Sequence, residues 1–184
     1  MQSWSMMAIR GSLGILLGLT ILLGPPGGLG GLVVLFGVYA LLDGISAAAW
    51  ASASRRPLES WPVLLEGVFS IGLGVLALWY PLEAAPFVHV VALWGLVTGI
   101  LEVAGAVHWS HGVASKWCLV AGGVWSLFLG SLVLVLPYAV TDDLVMAIGV
   151  YALVFGILVS VAALTLRRVA RAPIGAVNQT WVAR

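Results

Sequence analysis

Charge is what this sequence has least of: 15 of its 184 residues, 8%, are Asp, Glu, Lys or Arg, against roughly 25% in a soluble domain. With 62% of the residues hydrophobic, a soluble fold is excluded, because a chain of this length has too much surface to leave so few charges for it. The mean hydropathy of +1.14 says the same. Eight basic against seven acidic residues give a formal +1, so there is no basic field for nucleic acid. A single cysteine, Cys118, excludes an intramolecular disulfide or a cysteine-based metal cluster. Polar linkers and low-complexity tracts long enough to separate a second domain are also missing. The chain is expected to be an integral membrane protein with one domain.

What is present is long apolar runs. A membrane helix needs about 20 apolar residues to cross roughly 30 Å of hydrocarbon, and six runs qualify: 6–23, 30–51, 62–80, 86–108, 117–136 and 143–166. Lipid offers the backbone no other partner, and the runs lack the alternation of a barrel strand, so an all-α protein with six transmembrane helices is expected. The first run is too long for the core of a signal peptide and is expected to be retained. Short connections at 24–28, 52–61, 81–85, 109–116 and 137–142 suggest three tight hairpins. All eight Lys and Arg, Arg10 included, lie on the side shared by the two termini and the even-numbered loops, and the odd-numbered loops have none. By the positive-inside rule both termini are cytoplasmic.

A threefold repeat organises the chain. Gly11, Gly67 and Gly123 are 56 residues apart, as are Gly18, Gly74 and Gly130, and Pro25, Pro81 and Pro137. Trp4, Trp61 and Trp117 open the three units, while Tyr39, Trp94 and Tyr151 correspond in the second helices, as do Gly44, Gly99 and Gly156. Each unit crosses the membrane twice, so the expected architecture is three parallel two-helix repeats, about 4–56, 61–112 and 117–168, around a pseudo-threefold axis along the membrane normal. Residues 1–171 then form the transmembrane domain and 172–184 a cytoplasmic tail. Gly11, Gly14 and Gly18 become Gly67, Ser70 and Gly74, then Gly123, Ser126 and Gly130. Small residues at i, i+3 and i+7 make a face on which membrane helices associate, and these faces are expected to turn inward.

The pattern Trp…Gly-x-x-small-x-x-x-Gly…Pro, followed by aromatic-x-Leu/Val-x-x-Gly-Ile, resembles the HdeD family of bacterial acid-resistance membrane proteins. Arg10-Gly11, Gly18, Pro25 and Tyr39 to Ile45 carry it in the first unit. Trp61, Glu66-Gly67, Gly74, Pro81 and Thr98 to Glu102 do so in the second, and Trp117, Gly123, Gly130, Pro137 and Tyr151 to Ile157 in the third. The resemblance runs from about residue 4 to 167. It implies a six-helix protein of the bacterial inner membrane and, more loosely, a part in acid stress, with no catalytic residue, ligand or cofactor.

Ionisable residues within spans are costly and mark functional candidates. Arg10, Asp43, Glu66 and Glu102 qualify. At 1.5 Å per residue each lies about 8–12 Å from the cytoplasmic end of its helix, so four helices contribute to one layer. Arg10 and Glu66 share a repeat column, where the third unit has Gly122. One carboxylate can pair with Arg10, leaving the others partly desolvated beside like charge, a setting that governs protonation. One expectation is a proton-responsive cluster whose protonation in the mildly acidic range alters a glycine-lined interface. The plainer one is a structural Arg10–Asp43 pair, with Glu66 and Glu102 bonded locally.

Other features carry less. His89 lies at the outer end of the fourth helix, about 29 Å of rise from His108, and His108 with His111 lacks a carboxylate to complete a metal set. The tryptophans read as an interfacial belt or as packing, with Trp125 inside a span. Gly24 to Gly31 lacks the Lys-Ser/Thr of a phosphate loop, and no nucleophile spacing occurs. The tail's arginines can rest on anionic lipid. The expectation is therefore a non-enzyme without metal or cofactor, whose partners are membrane lipids. A small channel or carrier for protons or a solute, and a scaffold that associates with itself or with another membrane protein, stand as alternatives.

Overall fold

A computed structural model describes residues 3–24, 27–54, 57–80, 83–107, 113–135 and 142–171. They form six helices: α1 (Ser3–Leu22), α2 (Gly28–Ala53), α3 (Pro57–Trp79), α4 (Ala84–Val107), α5 (Val113–Val135) and α6 (Asp142–Arg171). Five are long and apolar enough to cross a bilayer, over Trp4–Leu22, Gly28–Ala53, Ser60–Trp79, Pro86–Val107 and Val145–Arg168. In α5 the apolar stretch is shorter, Leu119–Val135, preceded by Lys116. Pro25, Pro81, Pro137, Arg55, Arg56, His108, Trp109, His111 and the tail 172–184 lie outside the described residues.

The helices run past the apolar segments at most ends. α3, for example, begins at Pro57 and not near residue 62. Proline's fixed φ suits the first helical position, and Pro62, one turn further in, forgoes a single backbone bond. α1 stops at a turn where Gly24 has φ 104°, and α2 starts after Gly27 at φ 81°, a left-handed backbone that glycine adopts without a Cβ penalty.

Neighbouring helices touch in a closed order, α1 on α2 and onward to α6, which returns to α1. The closest pairs are α1 with α6, α2 with α3, and α4 with α5. The hairpin pairs suggested by the short loops also pack, but less closely. The cause is the glycine columns. A Cβ on Gly67 would lie 2.7 Å from the Ala48 nitrogen and 2.8 Å from the Gly44 oxygen. On Gly123 it would lie 2.9 Å from the Gly99 oxygen, and on Gly18 2.8 Å from the Gly149 oxygen. Backbone therefore lies on backbone, as small residues permit between membrane helices. These faces turn onto the neighbouring even-numbered helix and not onto a common centre. Of each small triplet only the middle position looks elsewhere in two units: Ser70 accepts a hydrogen bond from Trp94 Nε1 (3.1 Å), and Ser126 shares one with the Tyr151 hydroxyl (2.7 Å). In the first unit Gly14 instead lies against Gly156.

The centre is filled from the even helices. Tyr39, Trp94 and Tyr151 are buried and line one small apolar cavity of about 10 Å³ with Leu17, Leu129 and Ile148. Tyr39 meets Trp94 edge-on at 5.6 Å, and Phe36 meets Trp94 and Phe87 at 5.7 Å, the geometry that aromatic quadrupoles prefer. Trp94 and Trp50 are thus core residues, whereas Trp61, Trp79 and Trp117 are exposed on the perimeter.

Candidate functional site

The glycine contacts aim the charged residues. Successive residues on an α-helix point about 100° apart. With Gly11 against α6, Arg10 is swung into the bundle, and with Gly67 against α2, Glu66 is swung in likewise. Asp43 and Glu102 arrive from α2 and α4. All four side chains are withdrawn from the surface: Asp43 is 0%, Glu66 1%, Arg10 3% and Glu102 5% exposed.

The structure brings these four together around one guanidinium. Arg10 Nε is 2.6 Å from Asp43 Oδ1, and Nη2 is 3.3 Å from Asp43 Oδ2. The same Nη2 donates to Glu66 Oε1 and lies 3.2 Å from Glu102 Oε1. An arginine suits this place because its planar fork can address several carboxylates at once. Phe155 of α6 is the fourth neighbour of the guanidinium, its ring centroid 5.8 Å from the guanidinium carbon, within cation–π range. Satisfaction is uneven. Glu102 is tied to Arg10 by the ion pair alone, without a hydrogen bond to either of its oxygens.

The third unit explains how the cluster fits. Gly122 stands in the column of Arg10 and Glu66, and a Cβ there would lie 3.5 Å from Phe155 Cε2 and 3.6 Å from Glu102 Oε2. The missing side chain leaves room for two residues of the site. Toward the bundle end that carries the N-terminus, a cavity of about 30 Å³ adjoins Arg10, Glu66 and Glu102. Met6, Met7, Trp50, Val63, Leu101, Gly105, Leu119 and Val159 complete its lining, so every helix contributes. One water needs about 10–15 Å³ of such space and at least two polar partners, and the carboxyl groups of Glu66 and Glu102 border that space. Toward the opposite end lies the aromatic layer of Tyr39, Trp94 and Tyr151.

Phe155 and the two methionines are site residues that motif and depth did not single out, whereas Gly122 was reached through its repeat column. Phe155 does occupy the repeat column of Asp43 and Thr98, which is the signal that could have found it. His89 is exposed on α4, away from the cluster, and His108 and His111 lie outside the described residues. Among the described residues no group of three His, Cys, Asp or Glu is arranged to hold a metal ion. Within the cluster the resident cation is Arg10 itself.

Compared with known families, residues 9–79, 65–135 and 121–177 each match one whose description is a short repeat of unknown function (DUF308). The chain belongs to the DUF308 family. It is a family of membrane proteins, and the three matches begin at 9, 65 and 121, stepping by the 56 residues read from the glycines. Each of the first two DUF308 matches extends over three helices, so the family's repeat includes the close α2–α3 or α4–α5 contact. No curated protein and no solved structure matches the chain.

Proposed function

We propose that this DUF308 protein is a non-enzymatic, HdeD-type protein of the bacterial inner membrane that acts in acid stress through protonation of the Arg10 cluster. In this proposal three two-helix units surround a pseudo-threefold axis and both termini are cytoplasmic, as the eight-to-zero distribution of basic residues supports. The observation that carries the function is one buried guanidinium shared by three carboxyl groups from three other helices. With every group ionised, one guanidinium against three carboxylates would leave the site at −2 in a medium that penalises such an excess heavily. Protons are the means of cancelling it. Each proton taken up weakens one carboxyl's hold on Arg10. Glu66 is joined directly to Gly67, and Glu102 faces Gly122 beside Gly123. A change of charge at the centre therefore acts on the glycine contacts that bind α3 to α2 and α5 to α4.

The proposed route for protons is the cavity on the N-terminal side. From Arg10 to the start of α1 is seven residues, about 10 Å, whereas to its other end is twelve, about 18 Å, and that longer side is filled by aromatic rings. Met6 and Met7, long and unbranched, form a roof that can rearrange. The cluster would thus sense acidification of the cytoplasm and not of the medium outside.

The test combines Asp43→Asn, Glu66→Gln and Glu102→Gln with survival of acid challenge at equal protein level. The triple variant is expected to lose protection, and Glu102→Gln alone is expected to remove a protonated-carboxyl infrared band that follows pH in the wild type. Unchanged survival and an unchanged band would sink the proposal. A small proton channel is a second reading, favoured only by the cavity. Proton flux no greater than that of empty vesicles across a pH gradient would dismiss it.

A further inference from the structure

At the bundle end that carries the N-terminus, a cavity of about 200 Å³ opens between α1 and α6. Trp4, Ala8 and Ser12 line it from α1, and Ser160 and Arg167 from α6. The repeat shows what is special about this seam. Ala8 stands where the other units have Leu64 and Val120, and Ser12 where they have Val68 and Val124. Ser160 stands where α2 and α4 have Ala48 and Val103. In these columns, among the described residues, the α1–α6 pair has a small residue and hydroxyls where the other two pairs have Leu64, Val68, Val120 and Val124.

Arg167 gives the hollow its chemistry. Its guanidinium carbon lies 5.1 Å from the Trp4 ring centroid, so the planar group is held against an aromatic face. Its Nε is buried without a hydrogen-bond partner. A guanidinium oriented in this way and short of an acceptor suits a phosphate, which it can bind through two parallel N–H groups. Ser160 lies seven residues, about 10 Å, deeper along α6. The flanks are exposed and apolar, with Leu16 61% and Leu164 53% accessible, as befits a surface turned to acyl chains.

We propose that this groove holds one anionic phospholipid, with its phosphodiester on Arg167 and its glycerol esters near Ser12 and Ser160. Charge complementarity selects an anionic over a zwitterionic headgroup, and the depth of the hydroxyls selects a lipid over a free anion. The lipid would bridge the first and last helices of the chain.

The experiment is native mass spectrometry of the delipidated full chain in mild detergent, with phosphatidylglycerol, phosphatidylcholine of the same acyl chains, or inorganic phosphate added. Wild type should retain one phosphatidylglycerol about tenfold more tightly than phosphatidylcholine, because both offer Arg167 a phosphodiester and only phosphatidylcholine brings its own cation beside it. Arg167→Gln should abolish that preference. Ala8→Leu, which restores the side chain that the second unit carries at Leu64, should do so with Arg167 intact. Arg168→Gln should leave it unchanged, since Arg168 is exposed and lines no part of the groove. Equal retention of both lipids by the wild type overturns the proposal, as does lipid preference that survives Ala8→Leu. Loss in Arg168→Gln as large as in Arg167→Gln would reduce it to general surface attraction. Displacement of the lipid by millimolar inorganic phosphate would make the site one for the free anion.

Discussion

Arg10 is the residue on which the interior depends. Removing one member of a buried ionic group leaves the others uncompensated, at a cost of roughly 3–5 kcal/mol, and Arg10 compensates three. Arg10→Gln is therefore expected to lower the midpoint of thermal unfolding in detergent far more than Arg168→Gln, whose side chain is exposed. An unfolding midpoint equal to that of the wild type would show that the cluster contributes no stability. Much of this site was legible in the letters. Scarcity singled out the four ionisable residues, and counting rise per residue put them at one depth. The 56-residue register paired Arg10 with Glu66. Met6 and Met7 were not legible, because a methionine in a membrane segment looks the same whether it meets lipid or a guanidinium, and Phe155 was legible only through its repeat column with Asp43 and Thr98.

The working contact between elements is glycine backbone against glycine backbone, and position along a helix decides what each glycine is for. On α3, a Cβ at Gly67 meets Ala48 and Gly44 below 3 Å, whereas at Gly72 nothing lies within 4 Å. Gly67→Ala should destabilise by about 1–3 kcal/mol, as overpacked cores do. Gly72→Ala should be neutral or stabilise by up to about 1 kcal/mol, through helix propensity. Unfolding of the two variants in a denaturing detergent compares them directly; similar losses for both would refute the difference in role. The number and approximate limits of the helices follow from apolar length, and the repeat from spacing. Which helices embrace most closely does not. α2 and α4 are apolar on every side, so periodicity names no inward face. Short loops favoured the hairpin partner, while the tight contact falls on the other flank. Only the common spacing of Gly44, Gly99 and Gly156 with the odd-helix glycines hinted at it.

At the scale of the whole molecule, the helices close on themselves, with α6 lying on α1. Cysteines introduced at Ser12 and Ser160, in a chain with Cys118→Ser, are expected to be joined by a short thiol cross-linker within one chain and to shift its mobility on a denaturing gel. Cross-linking only between chains would mean that the ends meet a second copy and not each other. The three-unit period has another effect at this scale. Equivalent positions act as internal controls, so a departure such as Gly122 in the column of Arg10 and Glu66 can be recognised as a local adaptation without any other protein for comparison.

The closeness of α1 and α6 also sets a timetable for biosynthesis. With four helices between α1 and α6, the backbone groove around Gly11 and Gly18 has to wait in the bilayer until α6 follows. During that interval α1 is an unfinished joint, shielded only by lipid and α2. A chain cut short before α6 would leave that joint permanently open, ready to capture the last helix of another copy.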